Sequence, residues 1–356
     1  MIDEFFSKLE EETRERLANP VQESFIERKK REYAINPDVD YPDPEYVIEI
    51  GGTPTLPKGN LIALSAKWKN GKTFLCDVLT AVFLGSERFT GCRTLFSQGK
   101  VSFYDTEQAK SDTSHIRKVI DAMTPEGRHH DYEVYCLRPM NIDPTGEDGD
   151  EITRYEFISQ TIAHDKPDLV IIDGIADLLY NYNDVIESQR LVNRLAALAN
   201  EHNCAMVVVM HQNKGLHDKN MKGHLGTMLN QKCSDVFSVE KCGGIFVVSN
   251  TISRHQPCGD FVFKLTADGV PEDGMADRKR QMELERQQKS NQRRENLLDT
   301  LSDVDLPAKR NDIVKALMKT TDVKQARAYR IFDAAIEKGV LVKNGDKTYG
   351  LKQEEC

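Results

Sequence analysis

The chain has 356 residues, 39% of them hydrophobic and 29% charged, with a formal net charge of −9 at pH 7; this is enough for one large α/β domain and a small one, since single cores seldom grow past about 250 to 300 residues. No run approaches the roughly 18 apolar residues of a membrane span, and the acidic start MIDEFFSKLEEETRERL has no signal-peptide core, so a cytoplasmic protein without a membrane partner is expected. Eight cysteines are scattered without a C-x-x-C pair, which argues against a zinc site or a disulfide framework and for free buried thiols.

Residues 1–45 read as one or two charged amphipathic helices followed by the proline-bearing connector NPDVDYPDPEY. From 46 to 271, apolar strands alternate with helical segments, the mark of an α/β domain with a mostly parallel, twisted sheet. The stretch LSAKWKNGKTF lies between the strand-like NLIALSA and the helical TFLCDVLTAVFLG, which ends at Gly85. It follows the phosphate-binding pattern G-x-x-x-x-G-K-[ST], with Ala66 in place of the first glycine. In such a P-loop, backbone N–H groups and a helix N-terminus face the β-phosphate, the lysine reaches the β/γ-phosphates and the hydroxyl holds Mg²⁺. ATP and Mg²⁺ are therefore expected on Ala66, Lys67, Trp68, Lys69, Asn70, Gly71, Lys72, Thr73 and Phe74. Ala66 is tolerable if its φ stays negative, whereas Gly71 supplies a close backbone approach.

KVSFYDTEQ and PDLVIIDGIADL place Asp105, Glu107 and Asp173 at the carboxyl ends of strands. In P-loop ATPases an aspartate so placed binds Mg²⁺, and a separate glutamate polarises the attacking water. Asp173 fits the first role and Glu107 the second, with Asp105 as the competing candidate. The strand CAMVVVMHQNKG ends in His211, Gln212 and Asn213, polar groups placed at the carboxyl end of the sheet to sense the γ-phosphate. Gln212 is counted with the catalytic set, and His211 is equally compatible with a structural histidine. The segment that follows, NKGLHDKNMKGHLGT, is rich in Lys, Asn and Gly.

Residues 272–295 form a charged run nearly free of apolar residues, a solvated helix or linker, and hydrophobic periodicity returns over 296–356. From Met275 to Cys356 there are 18 Lys and Arg against 14 Asp and Glu, a net of +4 that leaves −13 for the rest. RNDIVKALMKT is a short helix; TDVKQARAYRIFDAAIEKG is a second, with an Asp/Thr start and Gly339 as its stop; VLVKNGDKTYGLK is a hairpin with an Asn-Gly turn. Helix, turn, helix and hairpin make the winged-helix pattern. Tyr329, Phe332 and Ile336 share one face of the second helix, while Lys324, Arg327 and Arg330 project from the other at three-residue steps, a basic strip suited to a DNA groove.

The succession ALSAKWKNGKT, FYDTEQ, LVIIDGIADL, VVVMHQNKG, GHLGTMLNQKCSDVF and SNTISRHQPCGDFVFKL resembles the RecA-like ATPases of the hexameric-helicase branch, which includes the RepA-type plasmid replication helicases and the DnaB-type motors. Loops in that group often open with alanine, as at Ala66. The resemblance implies a homo-oligomer, a hexamer, with nucleotide at subunit interfaces and a basic finger reaching the neighbour's phosphate. In NTISRHQPCG that finger is Arg254, although Ile252 stands where many relatives place a lysine. It also implies that the loop after His211 faces a central channel, where Lys214, Lys219 and Lys222 track the phosphates of a single strand. The expected activity is that of an ATP-hydrolysing DNA motor, a ring-forming helicase or loader in replication, recombination or mobile-element maintenance, with single- or double-stranded DNA as partner. The alternatives are a DNA-binding regulatory switch without unwinding, and an ATPase acting on a protein.

Overall fold

The computed structural model describes residues 24–140, 142, 152–215 and 218–352; the helix expected over DEFFSKLEEETRERLA lies outside them. The chain forms two compact units, Met1–Pro44 and Glu45–Cys356. In the first, the described part holds helix α1 (Phe25–Tyr33), opened by a capping box in which the Ser24 hydroxyl accepts the Glu27 N–H and the Glu27 carboxylate accepts the Ser24 N–H.

The strands of the second unit are β1 (Tyr46–Ile50), β2 (Thr53–Pro57), β3 (Leu61–Ala66), β4 (Cys92–Thr94), β5 (Val101–Asp105), β6 (Tyr132–Cys136), β7 (Leu169–Asp173), β8 (Ala205–His211), β9 (Asp235–Cys242), β10 (Ile245–Ser253), β11 (Phe261–Leu265), β12 (Pro271–Asp273), β13 (Leu341–Lys343) and β14 (Tyr349–Leu351). Its helices are α2 (Lys72–Phe83), α3 (Lys110–Met123), α4 (Arg154–Asp165), α5 (Val185–Glu201), α6 (Gly223–Lys232), α7 (Met275–Leu301), α8 (Arg310–Thr320) and α9 (Gln325–Glu337).

Nine strands form the central sheet in the order β12-β11-β10-β9-β3-β8-β7-β5-β6. Neighbours from β9 to β6 are parallel, and β10 to β12 extend the sheet antiparallel. The strands β3, β5, β7 and β8 are mostly apolar and are buried along almost their whole length, because both faces are covered. Their alternate residues enter two cores. Ile62, Leu64, Phe103, Ile171, Val207 and Val209 pack with Leu75 and Val78 of α2 and Ile116 and Val119 of α3. Leu61, Ala63, Val170, Ile172, Met206 and Val208 pack with Ile158 of α4, Leu191 and Leu195 of α5 and Leu225 of α6. A small antiparallel sheet, β2-β1-β4, adds Val47, Ile48, Leu56 and Cys92 to the first core. Helix α2 stops as the sequence predicts: Gly85 takes φ +94, and the Ser86 N–H closes back on the Ala81 carbonyl at 2.8 Å.

The expected parallel sheet is present, but its antiparallel extension and the small sheet went unread, because the pairing of β10 to β12 and of β1, β2 and β4 is decided by long-range register. The charged run is one 27-residue helix, α7, that continues unbroken past residue 295. Beyond it, Leu301, Ile313, Val314, Leu317, Ala328, Phe332, Ala335, Val340 and Leu341 form a separate hydrophobic cluster. Three details depart from expectation. Helix α9 starts at Gln325 with Lys324 as N-cap, and Asp322, at φ +50, belongs to the turn before it. Its inner face is Ala328, Phe332 and Ala335, with Tyr329 half-buried and Ile336 left exposed. The hairpin closes through Asn344 N–H to Thr348 O at 2.8 Å, and the positive φ of +67 falls on Lys347, so the loop is five residues long and is not a two-residue Asn-Gly turn. Gly339, at φ +64, does end α9, with the Val340 N–H returning to the Ala335 carbonyl at 2.8 Å.

Candidate nucleotide site

The loop between β3 and α2 lies at the carboxyl edge of the parallel strands. Ala66 is fully buried, its φ is not positive, and its carbonyl accepts the Gln212 N–H at 3.0 Å. Gly71 takes φ +79 as the N-cap of α2, and a Cβ there would lie 2.6 Å from the ring of Phe246 on β10. The position therefore accepts only glycine, both for its backbone angle and for its space. The adjoining cleft encloses about 530 Å³ and is lined by Trp68, Lys69, Gly71, Lys72, Thr73 and Phe74 of the loop, together with Glu107, Asp173 and His211 from three other strand ends. Ala66, Lys67 and Asn70 are not among its lining residues; the Lys67 ammonium donates to the Gly215 carbonyl at 2.8 Å.

The polar groups of the cleft are linked. The Thr73 hydroxyl donates to Asp173 Oδ2 at 2.6 Å. Lys72 Nζ lies 2.9 Å from His211 Nδ1. An ammonium group only donates, so Nδ1 accepts and the ring proton sits on Nε2, which faces Glu107 Oε1 at 3.5 Å. Burial pulls the Lys72 ammonium below its usual range, with Asp173 and Glu107 opposing. The hydrogen bond from His211 holds Glu107 below the usual carboxylate range against the opposing effect of burial. Burial pushes Asp173 up to about 7, opposed by its bond from Thr73 and reinforced by Glu107 and by Asp105, its partner in the β5–β7 register.

The geometry separates the two carboxylates that compete in DTEQ. Asp105 Oδ1 accepts the N–H groups of Glu107 and Gln108 at 3.1 and 3.0 Å, and Oδ2 accepts the Thr113 hydroxyl at 2.6 Å. Both oxygens are thus occupied in starting α3, and Glu107 is the one that faces the cleft. Gln212 is not brought to the cleft: its amide donates to Ser65 Oγ at 3.1 Å. Strand alternation sends His211 and Gln212 to opposite sides, a signal present in the sequence. The sequence reading missed Asp77, one turn beyond Thr73 on α2, which lines the cleft at 1% exposure with its Oδ1 lacking a hydrogen-bond partner among the described residues. Nothing in a helical apolar pattern marks such a residue as more than an interruption.

Arg254 is far from this cleft. Its N–H donates to the Ser234 carbonyl and its Nη2 to the Gln231 carbonyl, beside the start of β9, which is level with Ile62 at the beginning of β3. Four residues of strand at about 3.3 Å each put Arg254 some 13 Å or more from the loop of its own chain. On the loop after β8, Lys219 pairs with Glu240, the Lys222 ammonium sits 4.8 Å from the centre of the Tyr182 ring, and Lys214 is exposed. Lys324, Arg327 and Arg330 are exposed in α9 and its N-cap.

A triphosphate and Mg²⁺ suit these groups. The Gly71 cradle would be filled by any Cβ, a buried lysine awaits anionic charge, and a hydroxyl is paired to a carboxylate. Among the described residues no three metal-ligating side chains converge, but Mg²⁺ is commonly held by one or two protein groups plus substrate phosphates, which Thr73 and Asp173 can supply. No helix among the described residues is long and apolar enough to cross a membrane. No curated protein matches the chain. A family model described as an AAA domain matches residues 39–216, half of the chain. That match covers the phosphate loop, both acidic strand ends and His211, and the large, mostly parallel sheet is the frame of a P-loop NTPase core; the chain belongs to the AAA-domain family and is an ATPase of the P-loop type.

Proposed function

We propose that the protein is a DNA-dependent ATPase of the RecA-like helicase type that works as a ring of like copies, a helicase or loader in replication, recombination or mobile-element maintenance. The observation that carries the ring reading is the place of Arg254: exposed, and at the opposite end of the sheet from its own phosphate loop. It can serve a phosphate only on a neighbouring copy, where an arginine stabilises the charge that develops during transfer.

Within one copy, Lys72 holds the β- and γ-phosphates, Thr73 and Asp173 hold Mg²⁺, and the N–H groups of the loop cradle the β-phosphate. Mg²⁺, when bound, neutralises charge on the transferring phosphate. Glu107 accepts the proton of the attacking water. His211, which ties Lys72 to Glu107 in the structure described, exchanges that contact for the γ-phosphate and so reports its presence. Lys214, Lys219 and Lys222 follow a single strand, and the helix–turn–helix–hairpin of residues 296–352 acts as a winged-helix module that offers Lys324, Arg327 and Arg330 to duplex DNA. That exposed strip supports a second reading, an ATP-controlled DNA-binding switch without unwinding.

The deciding measurement is ATP hydrolysis with and without single-stranded DNA. Stimulation supports the motor; an unstimulated ATPase that binds duplex tightly points to the switch; an ATPase that binds neither form of DNA overturns both.

A further inference from the structure

Two segments leave the carboxyl edge of the sheet and pack on each other. One follows β7 and runs from Tyr180 to Asp184 into α5; the other follows β8 and returns at Lys222. The Leu225 N–H donates to the Tyr182 carbonyl at 3.0 Å, and the Lys222 ammonium lies over the Tyr182 ring. The approach at Gly223 is close enough that a Cβ would lie 2.6 Å from Asn183 Oδ1 and 2.7 Å from the Tyr182 ring. The first segment is also fixed internally: Asp184 accepts the Glu187 N–H at 2.8 Å, Asn181 accepts the Asn183 N–H at 3.0 Å, and Ser188 donates to the Tyr182 carbonyl at 3.2 Å. Immediately before these held residues Tyr180 is 68% exposed, and Val185 and Ile186 follow at 47% and 60%. The carboxylates on these segments are held by neutral donors, Asp184 and Glu187 by backbone N–H groups and Asp218 by Asn213 and Asn220, and they keep their charge. Lys219 is paired with Glu240, and Lys67, whose ammonium donates to the Gly215 carbonyl, joins Lys214 and Lys222 as a source of positive charge.

We propose that Tyr180 is a base-stacking platform of a single-strand site, with Lys214 and Lys222 on the adjoining phosphates. The proposal rests on the reading of the protein as a DNA-dependent ATPase, and goes beyond it by assigning recognition of bases as well as of backbone. An exposed aromatic face beside a fixed turn stacks on any unpaired base, whereas a paired base hides its faces in the duplex. The test is fluorescence anisotropy of the full-length protein with a labelled oligothymidylate and with an abasic strand of the same length. Tyr180→Ala should weaken binding to oligothymidylate by about tenfold and leave the abasic strand unchanged, and Tyr180→Phe should retain wild-type binding. Lys214→Ala and Lys222→Ala should weaken both strands and each lower the salt slope by about 0.7. Equal weakening on both strands, or none on either, overturns the stacking role. A changed oligomeric state of Tyr180→Ala by light scattering, with binding intact, also overturns it and makes the patch with Val185 and Ile186 an interface between copies. Failure of the wild type to bind either strand overturns the DNA reading itself.

A second inference has an independent origin in Thr106. Its hydroxyl lies 2.8 Å from the Gly174 carbonyl, 3.0 Å from the Asp173 carbonyl and 3.3 Å from Asp177 Oδ2. Gly174, at φ +105, has no room for a Cβ, which would meet Thr106 Oγ1 at 2.3 Å and Glu107 Cγ at 2.7 Å. We infer that Thr106 is a positioning residue: it clamps the end of β5 to the end of β7 and so fixes the Glu107 carboxylate in the cleft. Thr106→Val keeps the shape and orphans neither carbonyl, because the Thr106 and Asp177 N–H groups still donate to them. This variant should lower kcat about tenfold with the KM for ATP and the melting temperature unchanged, and Thr106→Ser should restore kcat. In a Glu107→Gln background the valine should cause no further loss. A full further loss in that background, or a raised KM at constant kcat, overturns the assignment; full activity of Glu107→Gln alone instead overturns the reading of Glu107 as the base.

Discussion

The nucleotide cleft and the basic strip of α9 carry charge in opposite ways. In the cleft, Lys72 and Asp173 are 8% and 4% exposed, and each is hydrogen-bonded to a named neighbour. On the strip, Lys324, Arg327 and Arg330 stand in water three residues apart. Desolvation makes each cleft interaction strong and makes the loss of one partner costly, because the other is left buried and unpaired. Water and salt screen the strip, so its contributions are small, additive and dependent on ionic strength. Single changes should therefore act as near-total losses in the cleft and as graded ones on the strip.

The largest expected effect is that of Lys72→Ala, which should remove ATP hydrolysis and most nucleotide affinity, since the phosphates lose their fixed cation; phosphate release and a nucleotide titration measure the two. Glu107→Gln should keep nucleotide binding and slow hydrolysis by about 10²-fold or more. If Asp105→Asn reproduces that profile while Glu107→Gln stays active, the two carboxylates are assigned the wrong way round. Next comes the proposed interface between copies. Mixtures of Arg254→Ala and Lys72→Ala chains, each nearly inactive alone, should regain activity, because one interface then joins an intact loop to an intact arginine. Absence of recovery in mixed rings would place Arg254 in a structural role.

On the strip, replacing Lys324, Arg327 and Arg330 together by alanine should leave basal ATP hydrolysis untouched. Duplex affinity should fall, and the slope of log affinity against log salt should shrink by about 0.9 for each DNA phosphate that no longer has a cation beside it. An abrupt collapse of binding from one substitution with no change of slope would contradict the contrast between strip and cleft.

The smallest effect tests the cleft by stability alone. Burial raises the Asp77 carboxyl well above its usual 3.8, so the folded state holds a proton that the unfolded state releases. Its contribution is complete below the unfolded value and is lost as pH rises towards the folded one. Asp77→Asn should therefore raise the melting temperature by about 2 °C or more near pH 8 and by less near pH 4. A gain independent of pH would mean that packing, and not charge, is relieved.

Much of the cleft was legible because its parts are local. The loop pattern, the acidic strand ends and the apolar runs each fit within a dozen residues, and Asp173 and Glu107 line the cleft. The contest between Asp105 and Glu107 stayed open because an aspartate two residues before a glutamate looks equally available until its bonds to Gln108 and Thr113 are seen. Gln212 was misplaced by reading a cluster where the period of a strand alternates. The antiparallel extension and the packing of Phe246 on the loop could not be read, since they bring together residues far apart in the chain. In the last 60 residues, the stop at Gly339 was legible from one glycine, whereas the hairpin loop was misread because Asn344-Gly345 imitates a shorter turn.

The ring of Phe246 beneath Gly71 has a consequence for how this loop can drift in evolution. Ala66 shows that the first position of the pattern tolerates a methyl group, but position 71 faces an aromatic ring stacked on Phe263 with centroids 4.8 Å apart. A smaller residue at 246 would clear the space but would leave the φ of +79 unrelieved. Gly71→Ala should therefore be only partly rescued by Phe246→Leu, and the two positions should covary among relatives in one direction only: the ring free to shrink beneath glycine, the glycine never free to grow above the ring.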